Sequence, residues 1–304
     1  MKVLHGDYRS WEPLEGATAV TIGVYDGVHL GHQHVLRSLA ATGLPVVVVT
    51  FREHPLQIIA PSAAPRMLTS VAQRLELFEE LGVFAAAVVD FDEEFRRLEA
   101  EEFVEKVLVA TLRAQRVAVG QGFRFGHQQL GDVDLLRSLG SAYGYTVDDV
   151  NILEEGVPVR STVIRALLAE GDVAAARRLL GRHYRLLGDV ISGEHHGRAV
   201  GLPIAIVESH VGALIPGSAV YAVEIRIGGN LYGGVVNIGK GPTFGGIESV
   251  VQFHIFDYEG DPVGQQISID FVARLRAEHK FDGVDELAVA IYDDVVAARE
   301  ILEG

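Results

Sequence analysis

Thr21-Ile22-Gly23-Val24-Tyr25-Asp26-Gly27-Val28-His29-Leu30-Gly31-His32 decides how the rest of this 304-residue chain is read. The apolar residues 19–22 read as a strand, and Val35, Leu36 and Leu39 mark one face of a helix that begins at the two histidines. A helix N-terminus presents unpaired N–H groups and a partial positive charge, so the loop favours an anion. Gly23, Gly27 and Gly31 let the backbone approach a ligand closely, and the imidazoles of His29 and His32 can donate to phosphate oxygens. A solvated βα turn explains any one of these residues but not the set.

Outward from that loop the first half alternates strand-like and helix-like runs. Strands are expected at Val46–Phe51, Ala85–Val89 and 117–119, with helices at 70–81, 101–112 and 133–139. Helix 70–81 is expected to turn Val71, Leu75 and Leu77 inward. This alternation predicts an α/β Rossmann-like domain with a parallel sheet covered on both faces. Ligands of such sheets bind beyond the carboxyl ends of the strands, and residues 23–32 and 120–126 both follow a strand, so both are expected in one crevice. From about Tyr184 the texture becomes short strands with glycine-rich turns: Ala219–Ile227, 231–238, 250–256 and 266–271. That pattern predicts a small antiparallel β-barrel, closed by a helix carrying Val284, Leu287, Ile291, Val295 and Ala298 on one face. The expected domains are 1–183 and 184–304.

Composition narrows the function classes. The formal net charge of −15 argues against broad nucleic-acid binding, which needs a basic face. The same field repels nucleotide phosphates, so positive charge must be placed locally, with Arg124 and Arg165 as candidates. There is no cysteine, hence no disulfide or thiolate metal site. No long uncharged apolar run suggests a membrane span, and residues 1–7 lack a signal-peptide layout, so a cytoplasmic protein is expected. Adjacent His195 and His196 read as solvated loop residues; no protein-bound metal is expected beyond Mg²⁺ arriving with a nucleotide. The oligomeric state is not legible.

The opening stretch resembles the first signature of the HxGH nucleotidyltransferases, and its surroundings resemble the bacterial bifunctional riboflavin kinase/FMN adenylyltransferase (FAD synthetase) family. The family's run is roughly T-I-G-N-F-D-G-V-H-L-G-H, with Val24 and Tyr25 here in place of Asn and Phe. Further matches are Thr50 to Pro55, Leu68-Thr69-Ser70, Gly120 to Gly126, Ser161 to Arg165, Leu180 to Tyr184, Gly197-Arg198 and Gly239 to Phe244, in the family's order.

The resemblance implies adenylyl transfer from Mg-ATP to FMN, giving FAD and pyrophosphate, without a covalent enzyme intermediate. It assigns ATP phosphate contacts to His29, His32 and Arg165, and nucleotide binding to Gly23, Tyr25, Asp26, Gly31, Ser161 and Thr162. Arg165 supports this independently: a cation in a first helical turn is unfavourable by roughly 0.3–1 kcal/mol unless an anion binds there. Phe51, His54, Pro55, Phe123, Arg124 and Phe125 are implied on the flavin side, although Phe123 and Phe125 are equally readable as alternate core residues. Three positions depart from the family pattern: Glu53 for a proline, Gly122 for Asp or Asn, and Arg160 for a serine. They leave open an acceptor other than FMN. A flavin- or nucleotide-binding regulatory protein without catalysis is the alternative from another class.

In the second half, riboflavin kinase barrels carry G-R-x-L-G-F-P-T-A-N, whose Thr and Asn help hold Mg-ATP, and a glutamate base. Here Ile204 and Ile206 stand at the Thr and Asn positions, and Gln252 aligns with the base. Glu248 is the alternative base if the register is shifted. An amide cannot act as a general base at neutral pH, so a barrel that has lost riboflavin phosphorylation is expected.

Overall fold

The edge strands of the first sheet are polar and its central strands are not. β1 (Lys2–Gly6) exposes Lys2 and His5 and β6 (Thr146–Val150) exposes Thr146 and Asp149, whereas β2 (Thr18–Ile22) and β4 (Ala85–Val89) are buried throughout. With β3 (Val46–Phe51) and β5 (Ala114–Gly120) they form a parallel sheet of order β1-β4-β3-β2-β5-β6. Apolar residues on both faces of the inner strands require cover on both sides. One face packs Val20, Val47, Val49 and Val117 with Phe103, Leu108 and Leu136; the other packs Ala19, Val46 and Val48 with Leu36, Leu39 and Phe78.

The covering helices are α1 (Leu30–Ala40), α3 (Val71–Glu80), Ala100–Phe103 (α5) running into a π-helical stretch Val104–Thr111, and α6 (Val133–Tyr143); α2 (Leu56–Ile59) and α4 (Glu93–Arg96) are single turns. Strand order reverses between β2 and β5, so the loops after these two strands flank the crevice where such sheets bind ligands. The α/β expectation is borne out.

The computed structural model describes all residues except 151–152, 155–156, 192–202, 244–245, 280 and 282; at 153–154, 157–158, 240–243, 246–248 and 284 it describes the backbone alone. A short hairpin, β7 (Leu153–Glu154) with β8 (Val157–Pro158), ends the first unit, Met1–Arg160. The second unit, Ser161–Gly304, therefore includes α7 (Ser161–Ala169) and α8 (Val173–Leu180), which precede the boundary expected near His183. The reason is packing: α8 lies on the barrel strands.

That barrel is closed and antiparallel, in the order β10-β13-β12-β11-β14-β9. Its strands are β9 (Tyr184–Ile191), β10 (Ala205–Ser209), β11 (Ala219–Ile227), β12 (Asn230–Thr243), β13 (Gly246–Ile255) and β14 (Gln266–Ala277). The closing helix α9 (Val284–Glu303) packs Val295, Ala298 and Leu302 against Val220, Val235 and Phe256. Two ion pairs tie it down, Arg276 with Asp294 and Arg299 with Asp257.

Candidate active site

The loop between β2 and α1 is held in an uncommon backbone shape. Tyr25 and Val28 adopt φ of 55° and 39°, and a β-branched residue in the left-handed region is a genuine outlier. Such strain persists only where surrounding contacts over-determine it. Those contacts are visible. The Asp26 carboxylate, 2% exposed, accepts from the Leu68 amide at 2.9 and 3.0 Å, the Thr69 amide at 3.0 Å and the Thr69 hydroxyl at 3.2 Å. The Gly27 amide donates back to Thr69 Oγ1 at 2.9 Å. Asp26, expected among nucleotide contacts, is thus a latch that shapes the loop.

On that base the two histidines are stacked. Their ring centroids lie 3.6 Å apart at 15°, and the Tyr25 ring lies 4.6 Å from that of His32. Tyr25 is buried, its hydroxyl paired with Thr21 Oγ1 at 2.7 Å, and burial pushes its phenol pKa well upward. It supports His32 from within the fold. His29 caps α1: the His32 amide donates to His29 Nδ1 at 3.3 Å. A neutral His29 with Nδ1 accepting carries its proton on Nε2, the tautomer able to donate to a phosphate oxygen. Gly31 is buried in the first turn of α1.

Beside this loop lies a cavity of about 690 Å³. Gly23 and Val24 line it from the loop after β2, Phe51 from the end of β3 with His54 and Pro55 from the loop after it, and Phe123, Arg124 and Phe125 from the loop after β5. All six residues expected on the flavin side therefore meet in one place. Phe123 and Phe125 stack at 5.6 Å and 13°, and Phe125, which lines the cavity, is also a core residue. Sequence reading missed Phe91, Phe95 and Phe103, which complete an apolar wall of six phenylalanines. Phe91 and Phe95, four apart just after a strand, were the available signal. His54 accepts from the Leu56 amide through Nδ1 at 3.2 Å, and Arg124 at the rim pairs with Asp132 at 3.3 Å.

The three departures from the family pattern are exposed: Glu53, Gly122 and Arg160. Gly122 has φ of +75°, a conformation shared chiefly by Gly, Asn and Asp. Interchange of these three residues there has a backbone reason. Gly126 is constrained differently, since a Cβ on it would lie 2.7 Å from Ala100.

Ser161, Thr162 and Arg165 occupy the first turns of α7, in the second unit. In the barrel, Ile206 and Asn237 both register with Gln252 across β10, β13 and β12, and the Asn237 amide donates to Gln252 Oε1 at 3.4 Å. Ile204 precedes β10 and is half-buried. His195, His196, residues 197–202, Phe244 and Lys280 lie outside the described residues, as does the side chain of Glu248. Among the described residues, no group of three or more His, Asp or Glu could hold a metal ion.

A family model described as FAD synthetase matches residues 12–163, and one described as riboflavin kinase matches residues 180–302. The chain is 37% identical over 307 residues to the bifunctional riboflavin kinase/FMN adenylyltransferase of Escherichia coli strain K12, covering 99% of this chain and 97% of that one. The Haemophilus influenzae protein of the same name is 34% identical over 98% of each chain, and that of Bacillus subtilis 32% over 92% of this chain and 91% of that one. A solved structure described as a macrolide-efflux protein from Streptococcus pneumoniae superposes with a TM-score of 0.87 at 27% identity, over 98% of this chain and 99% of that one. Among the described residues no helix is long and apolar enough to cross a membrane.

Proposed function

The chain belongs to the bifunctional riboflavin kinase/FMN adenylyltransferase family, and from that premise we propose that its first unit transfers the adenylyl group of ATP to FMN. An FMN phosphate oxygen attacks the α-phosphorus of ATP, the bond to the β,γ-phosphates breaks, and FAD and pyrophosphate leave. The observation that carries this reading is the junction at Gly23–Val24. One loop supplies both the stacked His29–His32 pair and a wall of the aromatic cavity.

His29 and His32 then donate to ATP phosphates as negative charge develops, where a preorganised donor is worth about 2.7–4 kcal/mol. Phe123, Phe125 and Phe51 hold the isoalloxazine ring, and His54 and Arg124 face the acceptor. Mg²⁺ enters with the nucleotide. The exposure of Glu53 and Arg160 and the positive φ of Gly122 weaken the case for a different acceptor, so FMN is preferred.

For the barrel we propose loss of riboflavin phosphorylation. Ile206 sits in register with Gln252, so an aliphatic chain and an amide stand where a polar ligand and a carboxylate are needed. Full-length protein with ATP, Mg²⁺ and FMN is expected to form FAD and pyrophosphate; with riboflavin it is expected to form no FMN. Riboflavin turnover abolished by Glu248→Gln would show that the base lies at Glu248.

A further inference from the structure

Arg74 lies on α3 and is 1% exposed, which makes it one of the largest fully buried side chains in the protein. A guanidinium so placed is costly unless its donors are matched, and burial pushes its pKa down to about 10. The match is specific at the two terminal nitrogens, while Nε is buried without a hydrogen-bond partner. Nη1 donates to the Val24 carbonyl and to Thr50 Oγ1, both at 2.8 Å, and Nη2 donates to the Arg52 carbonyl at 3.1 Å. Thr50 Oγ1 donates in turn to the Val24 carbonyl at 2.9 Å. One planar fork therefore bridges the chain just beyond β2 to the chain just beyond β3.

Those two segments continue neighbouring strands and both line the cavity: Val24 from one, Phe51, His54 and Pro55 from the end of β3 and the chain beyond it. Arg74 itself does not line it. The histidine side of the loop has its own latch, Asp26 and Gly27 on residues 68–69. The two fastenings separate the tasks.

We propose that Arg74 is a positioning residue for the acceptor: it sets the spacing of the cavity walls after β2 and β3, and through them the affinity for flavin. This rests on the reading of the cavity as the acceptor site. A lysine keeps the charge but is a point donor on a flexible stem, unable to hold the Val24 and Arg52 carbonyls in one plane.

The test uses full-length Arg74→Lys and Thr50→Val, with FMN binding followed by quenching of flavin fluorescence and KM measured for FMN and ATP. Arg74→Lys is expected to raise the Kd and KM for FMN at least about tenfold, with KM for ATP within about twofold, since small misplacements at a site carry large penalties. Thr50→Val removes one acceptor of the fork without changing the shape of the side chain. It is expected to shift FMN affinity about two- to fivefold in the same direction, with Tm near that of the parent. Unchanged FMN affinity in both variants would overturn the inference. So would FMN and ATP constants rising together with a falling Tm, the pattern of a general structural role. A parent that binds no FMN would sink the acceptor reading and this inference with it, whereas FMN binding that survives both substitutions sinks the inference alone.

Discussion

Asp26→Asn isolates the latch beneath the histidine loop. The carboxylate takes hydrogen bonds from the amides of Leu68 and Thr69 and from the Thr69 hydroxyl, at 2.9–3.2 Å, in a site 2% exposed. Hydrogen bonds to a charged acceptor contribute about 1.5–3 kcal/mol each. Asparagine keeps one oxygen and turns an amide NH₂ toward the donors, so at least one bond is lost and a donor is left facing a donor. The cost is about 2–4 kcal/mol. The loop under restraint holds Tyr25 and Val28 at positive φ, conformations that cost about 1–3 kcal/mol each. The lost restraint matches the strain it opposes, so the loop relaxes and the stacked histidines move.

At about 2 kcal/mol transmitted to the transition state, kcat falls roughly thirtyfold. Tm falls by several degrees, at about 2–4 °C per kcal/mol for a unit of this size. The assay is pyrophosphate release at saturating FMN and Mg-ATP, beside a thermal melt. A variant with parental kcat, or one that loses Tm while kcat holds, would refute the claim that this latch places the histidines.

His32→Ala is expected to lower FAD formation at least about tenfold with a small change in Tm, because one preorganised donor is removed; unchanged turnover in folded protein removes His32 from the mechanism. At Gly122, φ is +75° and a Cβ meets nothing within 4 Å, so only backbone strain opposes a side chain. Gly122→Ala should therefore cost about 1–2 kcal/mol and Gly122→Asn less, read from paired denaturation curves. Asp294→Ala leaves Arg276 without its 2.7 Å partner under α9. A fully buried pair would cost about 3–5 kcal/mol on removal of one member, but the Arg276 side chain is 31% exposed, so a loss of about 1–3 kcal/mol is expected in urea unfolding. Replacing Ile204 by Thr, Ile206 by Asn and Gln252 by Glu together should restore measurable FMN formation from riboflavin; a folded triple variant without activity would place the lesion elsewhere in the barrel.

The histidine loop was legible because its signal is local: strand, glycines, histidines and helix within one short span. The inner strands were legible for a related reason, being apolar on both faces. The edges were not. Lys2, His5, Asp148 and Asp149 interrupt the apolar pattern of β1 and β6, where half of each strand meets solvent. Helix α3 turns Gln73, Arg74 and Phe78 fully inward while Val71, Leu75 and Leu77 are half-buried, so the expected inward face is shifted. Hydropathy assigns an arginine to water, and nothing local announces that two loop carbonyls and a hydroxyl await it. The cavity was half legible. Its walls after β3 and β5 carried recognisable residues, whereas Phe91, Phe95 and Phe103 reach it only because β4 and α5 return to the same crevice. The placement of α7 is not local information either: it packs on α8, and α8 lies against β9 and β14.

The most direct measurement is the yield of FAD and pyrophosphate from FMN, ATP and Mg²⁺, followed together by chromatography and a coupled phosphate assay on full-length protein. The account predicts one FAD for each pyrophosphate released, and a fall of at least about tenfold in both products with His32→Ala. Folded parent protein that binds FMN and ATP yet forms no FAD would contradict it.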